Sequence, residues 1–370
     1  MGKTQLVNQF TKSLIREKQR KNKVGTQQIT STLITAALTL AFVNESCASS
    51  DVVSKSQVIY RKLEGKTAEE IQAYYRAVTI QFLKMLKLYS RNRRFLLSFD
   101  PTEEAFYGDV AKAYDKLYLH PGSIARGSEY YYKYLTVTIT CIGQMNYILD
   151  GMLIPMGCYL EDVVYDITRF IIDHLPVEAV LFDRGFDSWG VIYKLQQLPV
   201  TYLIFWKKQG DWYKEPLNTL KDGEYTTVLH QGTYHRGKTG YQVHSQFVLI
   251  KQLEYEGKTY DWLFATNLDK NTAASYVKRY KKRWAIETIF RVTDDIRIYT
   301  TSTNHIIRYF LFMFTCLVYN IWRFFQLFLG EDFTLANMKI CIIIFMVKYG
   351  MIYPKHYDKF EKVAERFFNV

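Results

Sequence analysis

Cysteine is scarce in this chain and badly spaced for chemistry: five occur, Cys47, Cys141, Cys158, Cys316 and Cys341, with no two close in sequence. An odd, scattered set argues against a disulfide framework and against a C-x-x-C zinc site, and it suits a reducing cytoplasm. The seven histidines also lack ligand spacing. His230 and His235 lie in a polar, turn-rich stretch that does not resemble a tetrahedral zinc site. No internal repeat or low-complexity tract is visible. A clean apolar run of the roughly 20 residues needed to span a membrane is missing too. The segment 309–319 (YFLFMFTCLVY) is bounded by Arg308 and Arg323, with Asn320 between, and reads as a buried core helix. Residues 33–43 follow a basic N-terminus in the outline of a signal peptide, but Thr35 and Thr39 interrupt the run. The expectation is a protein without membrane attachment, working in the cytoplasm.

What is present points to a packed, polyanion-binding protein. Of the 370 residues 48% are apolar and 16% aromatic, enough for one or two cores and too much for a disordered chain. Lys and Arg number 48 against 36 Asp and Glu, a formal charge of +12. A surplus of that size favours nucleic acid or an anionic membrane as partner.

The first ninety residues read as helices. Residues 4–22 carry Leu6, Phe10, Leu14 and Ile15 at helical spacing among basic residues, and Thr67-x-x-Glu70 forms a capping box before a periodic run to Tyr89. A helical region 1–92 with a basic surface suits DNA binding or a plain helical bundle. From residue 93 the pattern changes to β-β-β-α-β-α-β: strands at 95–100, 132–141 and 145–156, a helix at 160–175, a strand at 178–183, a helix at 188–198 and a strand at 200–207. That alternation predicts a mixed α/β sheet with helices on its faces. Residues 208–270 turn β-rich, with strands at 225–230, 241–251 and 260–266, and read as an insertion whose basic residues Lys207, Lys208, Arg236 and Lys238 face a polyanion. Segment 271–350 resumes with a helix from Thr272 to Asp295 and two apolar helices at 305–329 and 334–348; residues 351–370 form a tail.

Three acids stand out. Two core strands run into aspartate, Phe99-Asp100 and Phe182-Asp183. The edge of an α/β sheet at its strand ends is where ligands bind, and a carboxylate after buried residues needs a cation or hydrogen bonds. A turn-capping aspartate is the plain alternative. The third acid is Glu287, in Tyr280-Lys-Lys-Arg283-Trp284-Ala-Ile-Glu287-Thr-Ile-Phe-Arg291. Spacing of three and four places Tyr280, Arg283, Glu287 and Arg291 on one helical face, a carboxylate between guanidiniums.

These segments resemble the DDE transposases of insertion sequences, in the subgroup marked by Tyr-x2-Arg-x3-Glu-x6-Lys. Tyr280, Arg283 and Glu287 match that signature, Asp183-Arg-Gly-Phe resembles the segment of the second acid, and Asp100-Pro-Thr with Tyr107-Gly108 that of the first. The resemblance covers about residues 93–330. It implies an RNase H-like catalytic domain split into 93–207 and 271–350 around the β-rich insertion. Asp100, Asp183 and Glu287 would be catalytic and would bind two divalent ions, Mg2+ or Mn2+. The activity would be cut-and-paste cleavage and strand transfer at the ends of a mobile element. The partner would be double-stranded DNA, held by a homodimer, with Tyr280, Arg283 and Arg291 on its backbone and Trp189 or Trp284 stacked on a flipped base. One position departs: Asp294 stands where the signature has lysine. Arg291 and Arg297 lie within helical reach of it, so an ion pair is expected there. The departure also leaves room for a transposase-derived DNA-binding protein without cleavage activity.

Overall fold

The computed structural model describes residues 25–49, 55–87, 94–140, 146–268, 272–349 and 351. The basic helix expected at 4–22, Tyr89 and the tail after Met351 lie outside them. The chain divides into two compact units, each discontinuous in sequence: one from residues 1–81, 104–132 and 290–370, the other from 82–103 and 133–289.

The second unit holds the sheet and the three acids. Strand β1 covers Phe95–Phe106, β3 Tyr130–Ile139, β4 Ile148–Leu153, β5 Val177–Phe182 and β6 Tyr202–Phe205. Their spatial order is β4-β3-β1-β5-β6, with β3 and β4 antiparallel and β1, β5 and β6 parallel. This is the RNase H-like order, a hairpin followed by two crossovers. The parallel strands are sealed on both faces, which is why they read as unbroken apolar runs: Leu97, Phe99, Val180, Leu181, Phe182, Leu203 and Ile204 are fully buried. The crossovers are helices α5 (Leu160–Ile172) and α6 (Trp189–Leu195). Acids Glu161 and Asp162 open α5, and Ser188 caps α6 by accepting from Gly190 N at 3.1 Å.

Beyond β6 the sheet continues into the insertion. A short helix α7 (Lys214–Asn218) leads to β7 (Tyr225–Arg236), β8 (Thr239–Tyr255) and β9 (Lys258–Thr266), all antiparallel, and β9 returns to pair with β6. The turns between them fall at Gly237 and Gly257, both at positive φ. The observed strands are longer than the sequence pattern shows, because cross-strand pairing carries β structure into residues that lack clean alternation. Three of the insertion's expected DNA-facing cations are engaged elsewhere: Lys207 with Asp187 at 2.9 Å, Lys208 with Asp261 at 3.7 Å and Arg236 with Asp162 at 2.7 Å.

The first unit is mostly helical. It contains α1 (Thr26–Thr39), α2 (Val43–Ser49), α3 (Ser56–Leu63) and most of α4 (Ala68–Lys87), with the two-residue strand β2 (His120–Pro121) pairing to Tyr130 and Tyr131. The capping box forms at α4: Glu70 N donates to Thr67 Oγ1 at 3.2 Å, and Thr67 N to Glu70 Oε2 at 3.0 Å. Helix α10 (His305–Leu329) begins at Asn304, whose Oδ1 accepts from Ile306 N at 2.8 Å. It is long and apolar enough to cross a membrane by length and composition, yet 67% of its most apolar stretch is buried inside the protein. Asn320, midway along it, donates to the buried Tyr75 hydroxyl at 3.2 Å, as a packed core helix allows. Helix α11 (Leu335–Lys348) completes the unit's described helices.

Candidate active site

Asp100 does not end its strand. β1 continues through Phe106, and the backbone C=O of Asp100 accepts from Thr136 Oγ1 at 3.3 Å. The register with β5 runs only from Phe95 to Ser98, so Asp100 lies just past the last rung, where the two strands part. Below it Phe99 stacks on Phe182 at 5.1 Å, and Phe186 meets both rings. That aromatic floor fixes the ends of β1 and β5 side by side. The Asp100 carboxylate itself is 18% exposed.

Asp183 directly follows β5. Its Oδ1 accepts from Gly185 N at 2.8 Å and caps the single 3-10 turn Arg184–Phe186. The turn-capping role weighed from sequence is therefore present, and it orients one carboxylate oxygen while the other stays available. A side chain at Gly185 would stand 3.0 Å from that same oxygen and press on the capping carboxylate.

Glu287 lies in the first turn of α9 (Ala285–Asp294). The expected continuous helix from Thr272 is broken: α8 (Ala273–Lys281) is joined to α9 by one 3-10 turn, Lys282–Trp284. Arg283 still reaches Glu287 across that junction at 3.1 Å and lies over the Tyr280 ring at 5.7 Å, so these three stay on one side of the helix while differing in burial. Tyr280 and Arg283 are buried at 4% and 6%, whereas Glu287 and Arg291 are exposed.

Arg283 joins the acids. Its guanidinium lies 3.6 Å from Asp100 Oδ1 and donates to Glu287 Oε1 at 3.1 Å. Its guanidinium carbon also lies 5.7 Å from the centre of the Tyr280 ring. Burial works against its charge, but Tyr280, Asp100 and Asp183 outweigh that and hold Arg283 above its ordinary pKa. Burial pushes the Asp100 carboxyl up to about 7; Arg283 pulls against that, while Asp183 and Glu287 reinforce it. The three acids thus share one electrostatic neighbourhood around one arginine. Among the described residues no three His, Cys, Asp or Glu side chains gather into a metal-binding group.

Tyr280 packs on Phe205 at 5.1 Å and Phe264 at 5.3 Å, and burial raises its pKa. Trp189 is likewise packed, against Trp206, Phe247 and His230, and a side chain at Gly232 would come within 2.0 Å of its ring. Trp284 is different. It is 42% exposed, carries the Lys281 ammonium 3.3 Å over its ring, and helps line an open pocket of about 380 Å³ with Asp183, Arg184, Trp262, Tyr280 and Arg283. Sequence patterns alone did not single out Arg184, Lys281 and Trp262. The signal for Trp262 was there: Tyr260, Trp262 and Phe264 alternate along one face of β9. Asp294 is 69% exposed and pairs with Arg297 at 3.7 Å.

Comparison with known proteins bears on this arrangement. Residues 161–321 match the family model described as the transposase DDE domain. The cryo-EM structure of a piggyBac transposase synaptic complex with hairpin DNA has a similar fold, with a TM-score of 0.55 at 11% identity over 87% of this chain and 72% of that one. No curated protein matches the sequence.

Proposed function

We propose, from the premise of a transposase DDE domain over residues 161–321, that this protein cuts DNA at the ends of a mobile element and joins the freed ends to a target. One observation carries the reading: Arg283 lies 3.6 Å from Asp100 and 3.1 Å from Glu287 and lines, together with Asp183, one cationic, aromatic pocket. The donor set fits two divalent ions, because carboxylate oxygens suit Mg2+ or Mn2+ and the half-hidden Asp100 gains most from a nearby cation. When bound, such ions activate a water or a 3′-hydroxyl and stabilise the leaving oxygen of an in-line displacement. Asp100, Asp183 and Glu287 hold them, and the capping bond to Gly185 keeps Asp183 in one orientation. Arg184, Lys281 and Arg283 draw the phosphate backbone toward the acids. Trp284 and Trp262 offer faces on which an unpaired base stacks. Arg291, exposed one turn beyond Glu287, contacts phosphate in place of the missing lysine. A homodimer would hold the two ends together.

The test is cleavage of labelled duplexes bearing the inverted repeats that flank the gene. Mg2+-dependent nicking at the repeat boundary, lost in Asp100→Asn, Asp183→Asn and Glu287→Gln with binding retained, is the expected result. The lack of a gathered acid trio among the described residues, with Arg283 among the acids, favours a second reading, a DNA-binding protein that does not cleave. Sequence-specific binding without nicking at any metal concentration would establish that one instead.

A further inference from the structure

We propose that Arg283 is a displaceable counter-ion, which holds Asp100 and Glu287 while DNA is absent and is drawn off by a DNA phosphate, so that metal ions enter the acids only once DNA is in place. The inference rests on the metal-dependent reading above and adds an order of events to it.

The oxygens at issue are the same ones. Arg283 lies against Asp100 Oδ1 at 3.6 Å and Glu287 Oε1 at 3.1 Å, and a divalent ion bound by these carboxylates competes for those lone pairs. Two cations cannot share them at contact distance without strong repulsion, least of all beside the poorly hydrated Asp100. The hold is also exchangeable. Glu287 is 60% exposed, so water screens that arm, and 3.6 Å to Asp100 is longer than a good hydrogen bond. The guanidinium is incompletely satisfied where it sits, since its Nε is buried without a hydrogen-bond partner. A phosphate presents several acceptors in the planar geometry that guanidinium matches two at a time. Arg283 already lines the pocket through which a phosphate would approach, alongside the cations Arg184 and Lys281. The exchange balances charge: the acids give up one cation as metals arrive, and the arginine keeps an anionic partner throughout.

Mn2+ binding at pH 8 without DNA, followed by the paramagnetic resonance of free Mn2+, separates the possibilities. The wild type, Arg283→Gln, Arg283→Lys and Asp100→Asn are compared as full-length chains, with melting curves to establish folding. Removing a charge-assisted competitor of this kind is expected to tighten Mn2+ binding by roughly tenfold or more in Arg283→Gln. Arg283→Lys, which keeps the charge but replaces the planar fork by a single ammonium on a shorter reach, falls between it and the wild type, and decides the matter alone if Arg283→Gln does not fold. Binding that is equal or weaker in the arginine variants, yet abolished in Asp100→Asn, overturns the displacement and leaves the metal reading standing. Binding that Asp100→Asn does not reduce overturns both.

Discussion

Replacing Asp100 by asparagine in metal-free protein probes the electrostatics on which the site depends. Burial raises the carboxyl from 3.8 to about 7, and each tenfold change in proton affinity corresponds to about 1.4 kcal/mol, which sets a ceiling of about 4 kcal/mol on the strain of the ionised form. The carboxylate is 18% exposed, so solvent screening brings the working figure to about 2–4 kcal/mol. Because the folded pKa is raised, the stabilising difference is fully present below pH 3.8 and is lost as pH climbs through 7. The wild type therefore carries the whole penalty at pH 8, while asparagine, uncharged and nearly the same size, carries none, and Arg283 retains Glu287 as partner. With chelator present, Asp100→Asn should melt about 3–5 °C above the wild type at pH 8. The gap should shrink steadily between pH 7 and pH 4. Calorimetry or circular dichroism across that range reads it directly. A variant no more stable at pH 8, or an advantage that grows toward acid, would refute the reasoning. The same raised pKa makes protons compete with metal for the carboxylate, so Mn2+ affinity should weaken as pH falls below 7.

Gly232→Ala should lower stability by about 1–3 kcal/mol, since its methyl would meet the Trp189 ring at 2.0 Å; an unchanged melting temperature would remove Trp189 from that packing. Tyr280→Ala should cost about 3–5 kcal/mol through loss of its contacts with Phe205 and Phe264. Tyr280→Phe should leave DNA-end binding near the wild-type level in gel shifts, because the residue is 4% exposed, and a large loss would restore a phosphate contact. Asp294→Lys breaks an exposed ion pair with Arg297, so stability should change by about 0.5 kcal/mol or less. Its effect on end binding, measured alongside, reports whether lysine's place in the signature is still a phosphate contact: improvement says it is, and no change says Arg291 has taken over. Trp284→Ala should leave melting unaltered and weaken single-strand binding by about 1–3 kcal/mol if a base stacks on its exposed face.

The sequence by itself determined the order and type of the elements, because those obey local rules. The capping box at Thr67 and Glu70, the apolar runs of β5 and β6, and the alternation at Tyr260, Trp262 and Phe264 depend on neighbours a few residues away. Strand-end position and helical spacing, then the resemblance, singled out Asp100, Asp183 and Glu287, and the tertiary structure sets Arg283 beside Asp100 and Glu287. What periodicity cannot supply is partnership. A period of 3.6 assigned Tyr280, Arg283, Glu287 and Arg291 to one face, and Arg283 does meet Glu287 across one turn, but which of them are buried and which exposed is decided by packing from distant parts of the chain. Trp189 looked equivalent to Trp284 until the fold set one against Phe247 and left the other at a pocket rim. Burial of Arg283 against acids separated from it by up to 183 residues, one of them on β1, is a property of strand order alone. Side-chain chemistry is local, whereas the dielectric and the counter-charges that govern it are assembled from distant parts of the chain.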